Sequence, residues 1–214
     1  MAEENQVITD VNKNNNFKNI ILSYKKTLIF IFIITLILLF SYFFYIDYKK
    51  NINVKISEQY NSAIISFNSE EPNKTVLEMK NIIDARNSTY SPLALYFLLD
   101  NNLLKEKNEI NKYFDDLIYK VDLDEEIKNL IIYKKGLFNS GNANENELLE
   151  IFKPILNNDN MWKSHALYVL GEYFYAKNEK QKSKEFFEKI LELKNSNPQI
   201  KLEAQKRLNR DFSV

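Results

Sequence analysis

The sequence has no cysteine, one histidine, three glycines and four prolines among its 214 residues. Without cysteine the chain has no thiol nucleophile, no disulfide framework and no cysteine-based zinc or iron–sulfur site. Gly136, Gly141 and Gly171 are too few and too widely spaced to form a G-x-G-x-x-G fingerprint or a Walker-type phosphate loop. The scarcity of glycine and proline favours long, uninterrupted helices and predicts an all-α fold.

The chain also lacks an excess of either charge, since 29 Lys and Arg balance 29 Asp and Glu. A protein that binds nucleic acid by neutralising phosphates needs a basic surface, and this composition does not provide one. We therefore expect no nucleic-acid partner, and the missing motifs lead us to expect no cofactor and no small-molecule substrate.

Uncharged residues fill positions 27–46, which read TLIFIFIITLILLFSYFFYI. At about 1.5 Å per residue such a helix spans roughly 30 Å, the thickness of a bilayer core. Tyr24, Lys25 and Lys26 precede the segment, and Tyr48 and Lys49 follow it, as interfacial aromatic and basic residues do. The segment predicts a single transmembrane helix.

A helix buried in a soluble core would normally keep a polar stripe, and a cleaved signal peptide would have a shorter apolar run followed by a small-x-small site. We therefore predict an uncleaved signal anchor. Lysines just before the span slightly outnumber those just after it, which favours a cytoplasmic amino terminus. The predicted organisation is a disordered cytoplasmic tail at 1–26, the anchor at 27–46 and a helical repeat domain at 47–214 on the far side.

Helical periodicity continues after the anchor and is interrupted at regular intervals by capping signals. Ser91-Pro92 and Asn197-Pro198 each predict an N-cap followed by proline, and Asp122-x-x-Glu125 predicts a capping box. The predicted helices are 50–69, 73–86, 90–104, 107–120, 123–139, 144–157, 160–177, 180–194 and 197–210.

Three of these helices contain a similar tripeptide: Ala94-Leu95-Tyr96, Ile131-Ile132-Tyr133 and Ala166-Leu167-Tyr168, at intervals of 37 and 35 residues. This spacing is typical of helical solenoids. Residues 160–198 resemble a tetratricopeptide repeat, with Gly171 and Ser183 at the small positions that let two helices approach. The fold expected is a TPR-like α-solenoid of about four helix pairs and a terminal capping helix.

The order of tail, anchor and repeats resembles the bacterial YfgM-like family, most closely through STYSPLALYFLL, LLEIFKPIL, MWKSHALYVLGEYF and IKLEAQKRL. The resemblance implies a single-pass inner-membrane protein with a periplasmic repeat domain. It also implies partners: the SecYEG translocon, periplasmic chaperones and exported polypeptides. The implied role is non-catalytic and ancillary to protein export.

The repeat register predicts a protein-binding groove lined by the first helix of each pair. Tyrosine suits such a groove because it combines a large apolar face with a hydroxyl. The alternative is that these tyrosines only pack between helices. The candidate groove residues are Tyr96, Tyr133, His165, Tyr168, Glu172 and Tyr175.

Other functions remain open. The chain can instead be an anchored scaffold for envelope or outer-membrane biogenesis or for a cell-division complex, and self-association is compatible with the sequence. An enzyme would have to use His165, which has no cysteine or second histidine to complete a metal site, or the acidic clusters Asp115-Asp116 and 124–126. We expect the acidic residues to be solvated or to cap helices, and His165 to be solvated or to line the groove.

Overall fold

The computed structural model of the protein describes residues 24–212, and these residues form helices without any β-strand. The all-α prediction is therefore confirmed over the described chain, whereas residues 1–23 of the predicted tail lie outside it. Contacts divide the chain into two compact units, with the boundary between Lys55 and Ile56. The helices are α1 (Lys25–Ile65), α2 (Asn73–Asp84), α3 (Tyr90–Asp100), α4 (Lys107–Lys120), α5 (Glu125–Asn139), α6 (Glu145–Asn157), α7 (Lys163–Ala176), α8 (Lys180–Glu192) and α9 (Pro198–Asp211).

Helix α1 has 41 residues and is long and apolar enough to cross a membrane. None of its most apolar stretch is buried within the described structure. The anchor predicted at 27–46 and the helix predicted at 50–69 are one continuous helix, which ends at Ile65 and not at residue 69. No helix breaker occupies residues 47–49, and Asn51 Nδ2 donates to Asp47 Oδ2 across one turn at 3.2 Å.

Four helices of the second unit bury side chains in the same pattern. In α2, α4, α6 and α8 the residues at i, i+4 and i+7 are all buried, and successive sets begin 35, 38 and 35 residues apart. This spacing places the three side chains on one face of each helix. The sets are Thr75, Met79 and Ile82; Ile110, Phe114 and Leu117; Leu148, Phe152 and Ile155; and Ser183, Phe187 and Ile190.

From α2 to α9, each helix contacts the next one along the chain. In addition, α5 contacts α7 and α7 contacts α9, so alternate helices also touch in this part of the protein. At the other end of the unit, the Tyr90 ring lies 5.5 Å from that of Tyr60, and the Tyr90 hydroxyl donates to Ser57 Oγ at 2.7 Å. These two contacts connect the last turns of α1 to the start of α3.

Two glycines allow the closest approaches between helices. A Cβ atom placed on Gly136 would lie 2.2 Å from the Phe152 ring, and one placed on Gly171 would lie 2.6 Å from the Phe187 ring. Both phenylalanines are fully buried, so neither ring has free space into which it can move. The two pairs are 35 residues apart, and Ser183 Oγ adds a hydrogen bond to the Gly171 carbonyl at 2.8 Å.

Helix α3 begins at the predicted residue, Tyr90, but its cap and its end differ from the prediction. Ser91 lies inside the helix and not at its N-cap, and the Asn87 side chain accepts hydrogen bonds from the backbone amides of Thr89 and Tyr90. The Ser91 hydroxyl instead donates to the Ile82 carbonyl at 2.7 Å, which ties α3 to α2. The helix ends at Asp100 because Asn102 takes a left-handed conformation with φ 54°.

The other predicted caps have mixed outcomes. Asn197 caps α9 as predicted, since its side chain accepts from the amides of Gln199 and Ile200. The capping box at Asp122 is wrong, because α5 begins at Glu125 and its N-cap residue Asp124 makes no side-chain capping bond. A capping box that we did not predict joins Asn144 and Glu147 at the start of α6.

The glycine contacts predict that Gly136→Ala and Gly171→Ala destabilise the protein. The added methyl group overpacks against a buried ring, which costs about 1–3 kcal/mol and outweighs the gain in helix propensity. We expect Gly136→Ala to lower the free energy of unfolding more than Gly171→Ala does, because its Cβ would lie 2.2 Å from the Phe152 ring and that of Gly171→Ala 2.6 Å from the Phe187 ring. Thermal or chemical unfolding of the full chain measures the difference.

Gly141→Ala is the matched control, since a Cβ there would meet nothing within 4 Å. Its stability should equal or slightly exceed that of the wild type. Equal stability of all three variants would contradict the assigned packing.

Candidate functional site

Three aromatic side chains meet where α5 packs on the start of α7. The Tyr133 and Trp162 rings are stacked with centroids 5.5 Å apart, and the His165 ring lies 5.7 Å from Tyr133 and 5.2 Å from Trp162. All three side chains are partly buried. Each pair is within the range at which aromatic rings attract one another beyond simple area burial. We call this group the aromatic triad.

A cleft of about 360 Å³ adjoins the triad. Trp162 and His165 form one side of this aromatic cleft, together with the exposed side chain of Met161, and residues 195–198 form the other side. No charged side chain lines it. An uncharged cleft with two aromatic rings favours an apolar group of a ligand or partner over an ion.

Two polar groups of the triad differ in their partners. The indole Nε1 of Trp162 is buried and has no hydrogen-bond partner among the described residues. His165 Nδ1 lies 3.3 Å from the Met161 carbonyl, and burial lowers the pKa of the imidazole, with this contact acting in the opposite direction. A pKa below the usual 6.5 makes the neutral imidazole the main form at pH 7, so the triad is mainly uncharged.

Tyr96 lies in a different environment. Its ring is partly buried under the ammonium of Lys134, which is 4.6 Å from the ring centroid. Its hydroxyl is buried without a hydrogen-bond partner among the described residues, and burial raises the pKa of this phenol. The contact joins α3 to α5 through a cation–π interaction.

Tyr168, Glu172 and Tyr175 lie where α9 covers α7. Arg207 donates to both carboxylate oxygens of Glu172, from Nε to Oε1 at 2.6 Å and from Nη2 to Oε2 at 2.7 Å. Its guanidinium also lies 4.3 Å from the centre of the Tyr175 ring, and it pairs with Asp211. Arg207 thus holds the predicted groove residues of α7 against the terminal helix.

Aromatic contacts extend this group. Tyr168 packs on Phe187 with centroids 5.4 Å apart, and Tyr175 packs on Phe212 at 5.9 Å. Burial is the main reason that the pKa of Tyr168 is raised, and the negative charge of Glu172 adds to it. These rings fill space between helices, as in the alternative considered for the sequence.

The six predicted residues therefore fall into three places. Tyr133 and His165 belong to the aromatic triad, Tyr96 lies under Lys134, and the other three surround Arg207. Whether any of them binds a partner stays a prediction. Sequence reasoning did not include Trp162 or Arg207 among the candidate residues. Arg207 lies 35 residues after Glu172, which is the spacing of the similar tripeptides at 131–133 and 166–168, and opposite charges at that spacing are a usable signal of contact.

Of the acidic clusters considered for catalysis, 124–126 lies at the start of α5, with Asp124 as the N-cap residue, and Asp115-Asp116 forms ion pairs. Asp115 Oδ1 accepts from Lys135 Nζ at 2.7 Å, and Asp116 pairs with Lys120 at 2.5 Å. Among residues 24–212 no group of three or more His, Asp or Glu side chains is arranged to hold a metal ion. Comparison with known proteins found no matching family model, no matching curated protein and no matching solved structure.

The contacts of Arg207 predict that Arg207→Ala loosens α9. The change removes both hydrogen bonds to Glu172 and the stacking on Tyr175, while α9 itself contributes only one fully buried side chain, Ala204. We expect amide hydrogen exchange in α9 to become about tenfold faster, with α2 to α6 unaffected.

Lys206→Ala is the control for this change, because Lys206 pairs with Glu203 on the exposed side of the same helix. Its exchange should stay close to that of the wild type. Equal acceleration by the two changes would show that Arg207 does not hold the helix.

Proposed function

We propose that this protein is a membrane-anchored, non-catalytic protein-binding module whose second unit is a TPR-like solenoid. The observation that carries the proposal is the uncharged aromatic cleft beside the triad, which is partly exposed on a helical scaffold. Tyrosine and tryptophan are the side chains most often found at the centre of protein interfaces. Their rings offer large contact areas at a small cost in conformational entropy.

The solenoid proposal is supported by the repetition of packing. The buried sets of α2, α4, α6 and α8 recur every 35 to 38 residues, and the Gly136–Phe152 contact recurs as Gly171–Phe187. Contacts between α5 and α7 and between α7 and α9 are those expected when the first helices of successive pairs stack. In this interpretation α9 is the terminal cap, and its exposed face is polar apart from Leu202.

The proposed binding surface is the side of the solenoid formed by α3, α5 and α7. It presents Tyr133, Trp162 and His165, and its neutral chemistry suits apolar side chains of a polypeptide. Such a partner would bury the exposed Met161 and bring hydrogen-bond acceptors near the indole of Trp162. Exported polypeptides and chaperones in the act of binding them expose such apolar side chains.

The membrane part of the proposal has its support in α1 and in the family resemblance. Helix α1 is long and apolar enough to act as the anchor, and an anchored module has a raised effective concentration near other membrane components. We propose the bacterial inner membrane, a periplasmic second unit and an ancillary role at the SecYEG translocon. The same anchor would bring periplasmic chaperones close to chains that emerge from the translocon.

The topology can be tested with single cysteines, since the natural sequence contains none. We expect a membrane-impermeant maleimide, added to intact spheroplasts, to label Asn146→Cys, which is exposed on α6. Asn14→Cys should react only after the membrane is permeabilised. The reverse labelling pattern would contradict the proposed orientation.

The binding proposal can be tested by photocrosslinking in cells. p-Benzoylphenylalanine in place of Met161 should form adducts with Sec components or exported chains, because this side chain lines the aromatic cleft and is 58% exposed. The same amino acid in place of Tyr119, an aromatic residue on α4 that is 73% exposed, is the control. Adducts at both positions, or partners unrelated to export at position 161, would contradict the proposal.

An exchange of the anchor separates the two parts of the molecule. We expect a protein whose residues 27–46 are replaced by an unrelated transmembrane helix to keep its adducts at position 161, because the cleft lies in the second unit. Loss of these adducts with the foreign anchor would show that the native anchor, and not the cleft, selects the partner.

A further inference from the structure

A second cleft lies between α6, α7 and α8 and has a volume of about 410 Å³. It differs from the aromatic cleft in that charged side chains accompany its apolar ones. Four of its seven lining residues are apolar, and two are lysines; the residues are Leu156, Lys163, Leu167, Phe186, Lys189, Glu192 and Leu193. We call it the lysine cleft.

The two lysines have no acidic partner. Neither Lys163 nor Lys189 lies within 4.0 Å of a carboxylate among residues 24–212, and the Lys189 ammonium instead sits 4.9 Å from the centre of the Phe186 ring. Glu192 is the one acidic side chain in the lining and does not pair with either of them. The cleft therefore carries a net positive charge next to an apolar floor.

The lining has no uncharged hydrogen-bonding side chain, since it contains no Ser, Thr, Asn, Gln, Tyr or His. A peptide laid in the cleft would bring amide groups that lose water without gaining partners from these side chains, which costs free energy. An inorganic anion would leave the apolar floor unused. A hydrocarbon chain that ends in one negative charge uses both parts of the lining and brings no amide.

We propose that the lysine cleft binds an alkyl carboxylate, that is, a fatty acid whose chain packs on Leu156, Leu167, Phe186 and Leu193. The carboxylate then lies between the ammonium groups of Lys163 and Lys189. The volume is close to the lower end of the range of small-molecule sites, about 300–1,000 Å³, which suits a chain of moderate length. This site is distinct from the aromatic cleft, and the proposal does not rest on the protein-binding function proposed above.

Octanoate tests the proposal, because it is soluble and carries the proposed headgroup. Its binding to the full chain in nanodiscs is measured by saturation-transfer NMR and titration, with empty nanodiscs as the reference for partition into lipid. We expect octanoate to bind more tightly than octanol, and octylamine to bind more weakly than either. Equal binding of the three compounds, or tighter binding of the amine, overturns the proposal.

Variants assign the binding to this cleft. Lys163→Gln and Lys189→Gln should each weaken octanoate binding about twofold to fivefold, since partly exposed ion pairs have modest strength. Glu192→Gln should strengthen it about twofold by removing a repulsive charge. Lys201→Gln on the exposed face of α9 is the matched control and should bind like the wild type.

All four substitutions change surface or rim side chains, so the fold is retained and the affinities can be compared. Weaker binding by the two cleft variants together with stronger binding by Glu192→Gln supports the site. Octanoate affinity that is unchanged by the cleft substitutions, or lowered as much by Lys201→Gln, places the ligand elsewhere and overturns the proposal. Tighter binding of a short peptide such as acetyl-Ala-Leu than of octanoate would overturn the choice of a fatty acid.

Discussion

The contact between a buried phenylalanine and a glycine on the facing helix is the constraint on which the rest of the second unit depends. Phe152 on Gly136 and Phe187 on Gly171 bring α5 against α6 and α7 against α8 at the shortest separation that a side chain permits. Any larger residue at the glycine would force the ring or the helix to move. The first contact fixes the distance between α5 and α6, and the second fixes the distance between α7 and α8. The aromatic triad and both clefts use residues of these helices.

Ion pairs also link alternate helices of the second unit. Glu172 on α7 pairs with Arg207 on α9, and Glu145 on α6 pairs with Lys182 on α8 at 2.9 Å. The exposed Glu145–Lys182 pair contributes little free energy, whereas the partly buried Arg207 makes two parallel hydrogen bonds to Glu172, which adds geometric specificity. Apolar packing therefore holds the helices together. The Glu172–Arg207 pair orients α9 about its own axis, and α9 covers Tyr168 and Tyr175.

Most helices could be predicted from the sequence, because apolar periodicity and a few caps such as Asn197 determine them locally. The surroundings of the tyrosines could not. Tyr96, Tyr133 and Tyr168 occupy equivalent positions in the three similar tripeptides, yet they face Lys134, Trp162 and Phe187 respectively. The neighbour lies 38, 29 and 19 residues further along the chain respectively, so the similarity of the tripeptides predicts equivalent positions but not what covers them. The misplaced cap at Ser91 has the same origin, since its hydroxyl bonds to the previous helix.

The start of α7 shows how one turn of helix can serve two chemically different clefts. Successive residues of a helix point about 100° apart, so Trp162 and Lys163 project to different sides even though they are neighbours in sequence. Trp162 lines the neutral aromatic cleft and Lys163 the lysine cleft, and the segment after α8 contributes Leu193 to one and Asn197 to the other. Because both clefts are bounded by the same two segments, a movement of the chain between α8 and α9 changes both of them together. The contacts that hold α9 on α7, above all those of Arg207, therefore help to fix the position of Pro198, the residue at the start of α9 that lines the aromatic cleft.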